Sequence, residues 1–242
     1  MEVFRMDTAK RKAILSLYEG LRVTDVNDGL DAVGLQNVGI MSRDIKPLWK
    51  DIENFSHRFY GFALTARFFP AQEAIHASSV EEYKQIKGDW YRNRATSLFA
   101  PNIQDGDVIV IDCLTNTDVG FCGSENTFGW INRGARGVVT NGGARDTDEL
   151  IKQKVPVYNQ YIGRGIRPGR IIYDTHNIPV NVGGVLVNPG DIIVADGDGV
   201  VCVPIAHAIE VAKIAREIQM DDQATRKKHY EKAGLDLDFT LQ

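Results

Sequence analysis

RGVVTNGGARDTDELIKQKVPVYNQ, residues 136–160, decides how this chain folds. RGVVTNGG (136–143) is a β-branched run without polar alternation, closed by two glycines. It reads as a strand buried on both faces that ends in a tight turn. DTDELIKQK (146–154) then starts a helix, and VPVYNQ (155–160) is a short strand. Upstream, GDVIVIDCL (106–114) is a second buried strand, and GSENTFGWINRG (123–134) is a glycine-led helix. The β-α-β-α-β alternation predicts parallel strands joined by crossover helices, an α/β fold.

The flanks extend this core. GFALTARFFP (61–70) is apolar, bounded by Gly and Pro, and reads as another buried strand. Residues 79–99 read as a helix with Trp90 and Tyr91 as packing anchors. From 171 onward the texture is all-β, with short strands at 185–187, 192–194 and 200–203 split by NPGD and DGDG turns. Helices are expected at 7–20, capped by Asp7 or Thr8, at Thr24 to Ala32, and at about 205–232. No internal repeat or long linker divides the chain. A single domain over 1–242, with helical extensions at both ends, is expected.

Bulk properties narrow the function. A net charge of −4 argues against non-specific nucleic-acid binding, which relies on clustered Lys and Arg. Arg226-Lys227-Lys228-His229 is expected to be one exposed face of the terminal helix. The three cysteines, Cys113, Cys122 and Cys202, form no CxxC pair and are expected to be reduced thiols. No apolar run approaches the ~20 residues that span a bilayer, and MEVFRMDTAKRK lacks the apolar region of a signal peptide. A cytoplasmic protein without membrane or nucleic-acid partners is the expectation.

GxxxxGK[ST], HExxH and GxSxG are absent. Gly163-Arg164-Gly165 is a GxG, but Pro168 stands where a dinucleotide fingerprint has its third glycine. The five histidines show no metal spacing, and DGDG at 196–199 lacks the distal glutamate of a calcium loop. Arg164, Arg167 and Arg170 share a Gly/Pro loop, for which subunit contacts are favoured over binding of a distal carboxylate or sugar acid.

RDTDE, beginning at Arg145, has two readings. Asp146 followed by Glu149 is a capping-box pattern, which alone accounts for both carboxylates. It does not account for Arg145, a cation at the positive end of a helix dipole. At the C-terminal edge of a parallel sheet, where ligands bind, such an arginine suits an anion, and Asp146 beside it could hold a hard divalent cation. GSEN (123–126) opens the neighbouring helix on the same sheet edge, and its free amides could receive a carboxylate.

VNDGLDAVG (26–34), YGFALTAR (60–67), GDVIVIDC (106–113), GSEN (123–126), RGARGVVTNGGARDTDE (133–149) and PVNVGGVLVNPGDIIVADGDGVVCVP (179–204), in this order, resemble the RraA-like family. That family holds the 4-hydroxy-4-methyl-2-oxoglutarate / 4-carboxy-4-hydroxy-2-oxoadipate aldolases and the regulator of ribonuclease E activity A. The resemblance runs from about residue 22 to 217. It implies a three-layer β/β/α swivelling-type domain assembled as a homotrimer or homohexamer. It also implies a metal-dependent class II aldolase that gives pyruvate from a 4-hydroxy-2-keto acid and decarboxylates oxaloacetate on the side.

By resemblance, Asp146 would bind Mg²⁺ or Mn²⁺, Arg145 would contact the keto/enolate oxygen, and Glu149 would hold metal-bound water. Gly123, Ser124, Glu125 and Asn126 would receive the pyruvate carboxylate through their amides. Glu217 on the last helix is the candidate to reach a neighbour's site. The regulator branch departs from the RD-x-x-[ED] signature at the aspartate, and this chain keeps it. A non-catalytic trimeric regulator or adaptor of ribonuclease E is the alternative. TNTDVGFC (115–122) departs from the family pattern, so the substrate beyond its pyruvoyl half is left open.

Overall fold

The computed structural model describes residues 6–113 and 117–241. Leu114, the expected last residue of a strand, and Thr115 and Asn116 of the departing segment lie outside the described residues.

The chain begins with helices α1 (Thr8–Tyr18) and α2 (Val23–Ala32). Asp7 caps α1, accepting from the N–H groups of Ala9 and Lys10. Strands β1 (Lys46–Pro47) and β2 (Phe59–Pro70) follow, then α3 (Val80–Asn93) and β3 (Asp107–Asp112). Next come β4 (Gly120–Cys122), α4 (Ser124–Ile131), β5 (Ala135–Thr140), β6 (Gly143–Ala144) and α5 (Thr147–Lys152). The remainder is β7 (Val157–Asn159), β8 (Tyr161–Ile162), β9 (Ile171–His176), β10 (Val180–Val182), β11 (Val185–Val187), β12 (Ile192–Asp196), β13 (Gly199–Val203) and the long α6 (Ala208–Ala233).

The main sheet runs β1-β7-β5-β3-β2-β12-β13, with β9 also paired to β2. β2, β3, β5 and β7 are mutually parallel, as the alternation of strands and helices predicts. β12 and β9 join β2 antiparallel. Side chains of β3 alternate between two cores, as the twofold period of a strand requires. Ile109 and Ile111 pack with Phe121, Trp130 and Leu150 under α4 and α5. Val108 and Val110 face the other way, onto Val180, Val182, Val185 and Val187 of the β10–β11 hairpin. On the helical side, Phe62, Ile192 and Val194 meet α1, α2 and α6 through Leu15, Val26, Val211 and Ala215. Hairpin, sheet and helices thus make the three β/β/α layers. Among the described residues no helix is long and apolar enough to cross a membrane.

Three boundaries differ from expectation. The strand read as 136–143 stops at Thr140, where Asn141 and Gly142 turn the chain before β6 begins in a separate sheet. The helix read as 79–99 ends at Asn93, because Ala95 and Phe99 turn into the core instead of continuing its face. Within it Trp90 is buried and bonds to Ile171 O, whereas Tyr91 is only half-buried. The last helix is preceded by a 3₁₀ turn at Ile205–His207 and ends at Gly234 with φ 66°, a left-handed cap suited to glycine.

Candidate active site

β3 and β5 bring the chain to one edge of the main sheet. There β4, β6 and β8 form a second, three-stranded parallel sheet. β4 leads into α4 and β6 leads into α5, so the two helices start side by side. The pairing places Gly120 opposite Gly143 and Cys122 opposite Ala144, and Arg145 N–H donates to Cys122 O at 3.0 Å. Glycine is what lets the strands close this tightly. A Cβ on Gly120 would lie 2.4 Å from Arg145 Cβ, and one on Gly123 would lie 2.7 Å from Asp146 Oδ2.

Asp146 sits at the N-cap position of α5, but it does not form the expected capping box. Its backbone is left-handed, with φ 52° and ψ 45°, and its side chain makes no bond to its own helix. A capping side chain needs an extended backbone to reach the first-turn amides, and this conformation turns it away. Asp146 Oδ2 instead accepts from Ser124 N–H at 3.2 Å, across the gap to α4. A left-handed non-glycine residue costs about 1 kcal/mol or more, a strain that clusters at functional sites.

Arg145 Nε lies 3.5 Å from the same Oδ2, with both side chains about one-third exposed at 32% and 35%. Gly123 is the N-cap of α4, and Ser124 is its first residue. Among the described residues, the N–H groups of Glu125 and Asn126 meet no acceptor, so they remain available to an anion. The structure therefore brings Arg145, Asp146 and the 123–126 turn together. Glu149 and Glu125 do not join them: both are exposed on the first turns of their helices, without a bond to Arg145 or Asp146. Glu217 is exposed on α6.

No group of three or more His, Cys, Asp or Glu among the described residues makes an all-protein metal cage. One partly exposed carboxylate beside an open anion site instead fits magnesium or manganese, which keep several waters and take few protein ligands. Asp146 Oδ1 has no hydrogen-bond partner among the described residues and is free for that use.

The arginine loop divides into separate roles. Arg164 is exposed and pairs with Asp118 at 2.6 Å; its backbone N–H, donating at 2.7 Å, and then its guanidinium hold the Asp118 carboxyl below its usual range. Arg167 is not the contact residue expected from its loop. It is fully buried and bonds to Phe121 O, Ala95 O and Ser97 Oγ, with Phe68 and Phe121 rings beside it. Desolvation pushes its pKa down. It braces β4 directly before the α4 turn, a role the sequence gives no sign of. Asn141 was also missed. It accepts from Cys113 N–H and donates to Asp112 and to Asn181 O, tying the ends of β3 and β5 to the hairpin.

Tyr161 on β8 covers Gly143, where a Cβ would lie 2.6 Å from its ring. Burial pushes its hydroxyl up to about 12, so it stays protonated at neutral pH. The cysteines are free and buried as expected, and burial pushes the Cys113 thiol up to about 12, which leaves it inert.

A family model described as RraA-like, Aldolase/RraA, matches residues 23–202. An uncharacterised protein of Methanocaldococcus jannaschii is 34% identical over 100 residues. That match covers 40% of this chain, and the chain spans only 46% of that relative's length. An RraA-family protein of Streptomyces coelicolor, described as an unusual member of the RNase ES inhibitor family, has the same fold at TM-score 0.73 and 22% identity, over 93% of this chain and all of that one. An uncharacterised protein of Pseudomonas syringae pv. tomato aligns at TM-score 0.70 and 22% identity, over 96% and 98% of the two chains. With the family model covering most of its length, the chain belongs to the RraA-like family of aldolases and RraA proteins.

Proposed function

We propose that this chain is a divalent-metal-dependent carbon–carbon lyase that cleaves a 4-hydroxy-2-keto acid to pyruvate and a second carbonyl product. Oxaloacetate decarboxylation is its side activity. The observation that carries the reading is the junction of α4 and α5. There a guanidinium, a carboxylate with a free oxygen and two unpartnered amides meet on one open edge.

Asp146 would hold Mg²⁺ or Mn²⁺, which when bound acts as a Lewis acid on the 2-keto acid. The amides of Glu125 and Asn126, at the positive end of α4, bind the substrate carboxylate. Arg145 donates to the keto oxygen, and its bond strengthens as negative charge builds there while the C–C bond breaks. The 4-hydroxyl gives its proton to a water as it becomes the second carbonyl, and water returns a proton to the enolate carbon to give pyruvate. Ser124 N–H keeps the Asp146 carboxylate aimed at this point. Glu149, on the first turn of α5, orients water at the rim. Behind this point the Tyr161 ring packs over Gly143 and the buried Arg167 braces β4. A homotrimer or homohexamer, with neighbours closing the open edge, belongs to the same reading.

The family also contains ribonuclease regulators, and the intact Arg145–Asp146–Glu149 signature is what favours the enzyme here. Purified protein with Mg²⁺ or Mn²⁺ is expected to release pyruvate from oxaloacetate and from 4-hydroxy-2-keto acids, followed by coupled NADH oxidation. Asp146→Ala should abolish this with an unchanged circular dichroism spectrum. Wild-type protein that releases no pyruvate with either metal would refute the reading in favour of the regulator.

A further inference from the structure

We infer that a second site, far along the sequence from Arg145 and Asp146, binds a small organic anion carrying at least two negative charges. It is a cavity of about 450 Å³ between the α1–α2 turn, the 55–58 loop, α6 and the turn at Phe239–Leu241. That volume lies within the range of small-molecule pockets. Its walls carry Arg22, Arg58, Arg216 and Arg226, with Phe55 and Phe239 among the apolar surfaces.

The charge is out of balance in a way the fold does not require. Arg22 pairs with Asp25 at 2.6 Å and with Asp222 at 2.7 Å. Asp222 is shared, and Arg226 Nε is 3.8 Å from it. Two carboxylates thus face four guanidinium groups, in a chain whose overall charge is −4. Arg216 spends its donors on Gln219 and on the carbonyls of Leu17 and Glu19, which close the end of α1. Gln223 and Arg226 both donate to Thr240 O, which pins the terminal turn over the cavity.

Arg58 has no such structural duty. Its backbone N–H donates to Phe55 O, but among the described residues its guanidinium makes no hydrogen bond or ion pair, and its buried Nε has no partner. It is nonetheless held in place, stacked 3.8 Å above the Phe55 ring. The Phe55 ring in turn packs against Phe239, with centroids 5.0 Å apart. A guanidinium fixed by stacking, with its donors unspent, is preorganised for phosphate or carboxylate. The Phe55–Phe239 pair, its rings tilted by 57°, offers an apolar surface for the rest of the ligand. The shared chemistry is a multiply charged small anion, whether phosphorylated or polycarboxylic.

Calorimetric titration of the full, metal-free protein with inorganic pyrophosphate and with citrate tests this. At least one probe is expected to bind, with affinity falling as salt rises. Pyrophosphate binding the tighter assigns a phosphorylated ligand; citrate binding the tighter assigns a polycarboxylate; equal affinity assigns a general dianion site. Arg58→Gln should weaken binding about tenfold or more, the loss of a charge-assisted bond. NMR shifts on titration should concentrate at Phe55 and Phe239, and this readout stands even if the variant folds poorly. Asp146→Ala should bind as wild type does, which separates this site from the lyase reading. Absence of binding at millimolar concentration, wild-type affinity in a folded Arg58→Gln, or loss of binding in Asp146→Ala would overturn the proposal.

Discussion

Asp146 belongs to α5, yet its carboxylate accepts from the first amide of α4, Ser124 N–H, at 3.2 Å. One oxygen thereby links two helix starts, and the other has no hydrogen-bond partner among the described residues. Asp146→Asn keeps the size and removes the charge. Pyruvate release from oxaloacetate is expected to fall by about a hundredfold or more, on the scale of losing a preorganised charged group. Stability should change by no more than about 1 kcal/mol, the net value of one hydrogen bond. Steady-state assays beside urea unfolding check both, and an active Asn variant would remove Asp146 from the mechanism.

Gly123 tests the same junction sterically. Its φ of −97° is ordinary for any residue, so alanine brings no backbone strain there. The added methyl would lie 2.7 Å from Asp146 Oδ2 and 3.2 Å from Arg145 Nε. Both side chains are partly exposed and can swing away. Gly123→Ala is therefore expected to lose about tenfold or more in kcat/KM, as misplaced catalytic groups do. Its melting temperature should stay near wild type. Full activity would mean that the carboxylate does not need this position.

Arg167 makes a structural prediction. Arg167→Met removes the donors to Phe121 O, Ala95 O and Ser97 Oγ at a buried position. Removing an unpaired buried cation recovers some desolvation energy, which offsets part of the loss. A net destabilisation of about 1–3 kcal/mol is expected, the cost of orphaned buried acceptors. Denaturant titration reads it directly. An unchanged midpoint would show that the carbonyls find other donors.

The parallel core was legible because β3 and β5 are buried on both faces, and continuous runs such as Val108–Ile111 leave no room for a polar face. Arg145 was legible as a charge that no capping rule explains. The conformation of Asp146 was not. Asp followed three residues later by Glu is a capping-box pattern, and only the pairing of β4 with β6 reverses it. Those strands have three and two residues, too short for any periodicity to appear. Arg167 looked like another loop arginine because its partners stand 46 and 72 positions away.

His57 predicts the pH dependence of stability. It is 3% exposed and accepts the Asp51 N–H on Nδ1 at 3.0 Å, so the folded ring is neutral. Burial, with Arg58 nearby, holds its pKa below the ordinary 6.5. The unfolded chain then binds the proton more readily than the folded one. Stability from this group is complete above about pH 6.5 and is lost as pH falls toward the lower folded value. His176, whose pKa is also lowered by burial, acts with the same sign. The carboxyls of Asp107 and Asp191, raised by burial, act with the opposite sign, from the ordinary carboxylate range upward. Urea unfolding between about pH 7.5 and about pH 5.5 should show stability decreasing with acidity. His57→Gln should flatten that slope whatever its effect on the absolute value, because glutamine does not titrate. A slope equal to wild type in His57→Gln would show that the histidine is not the group being read.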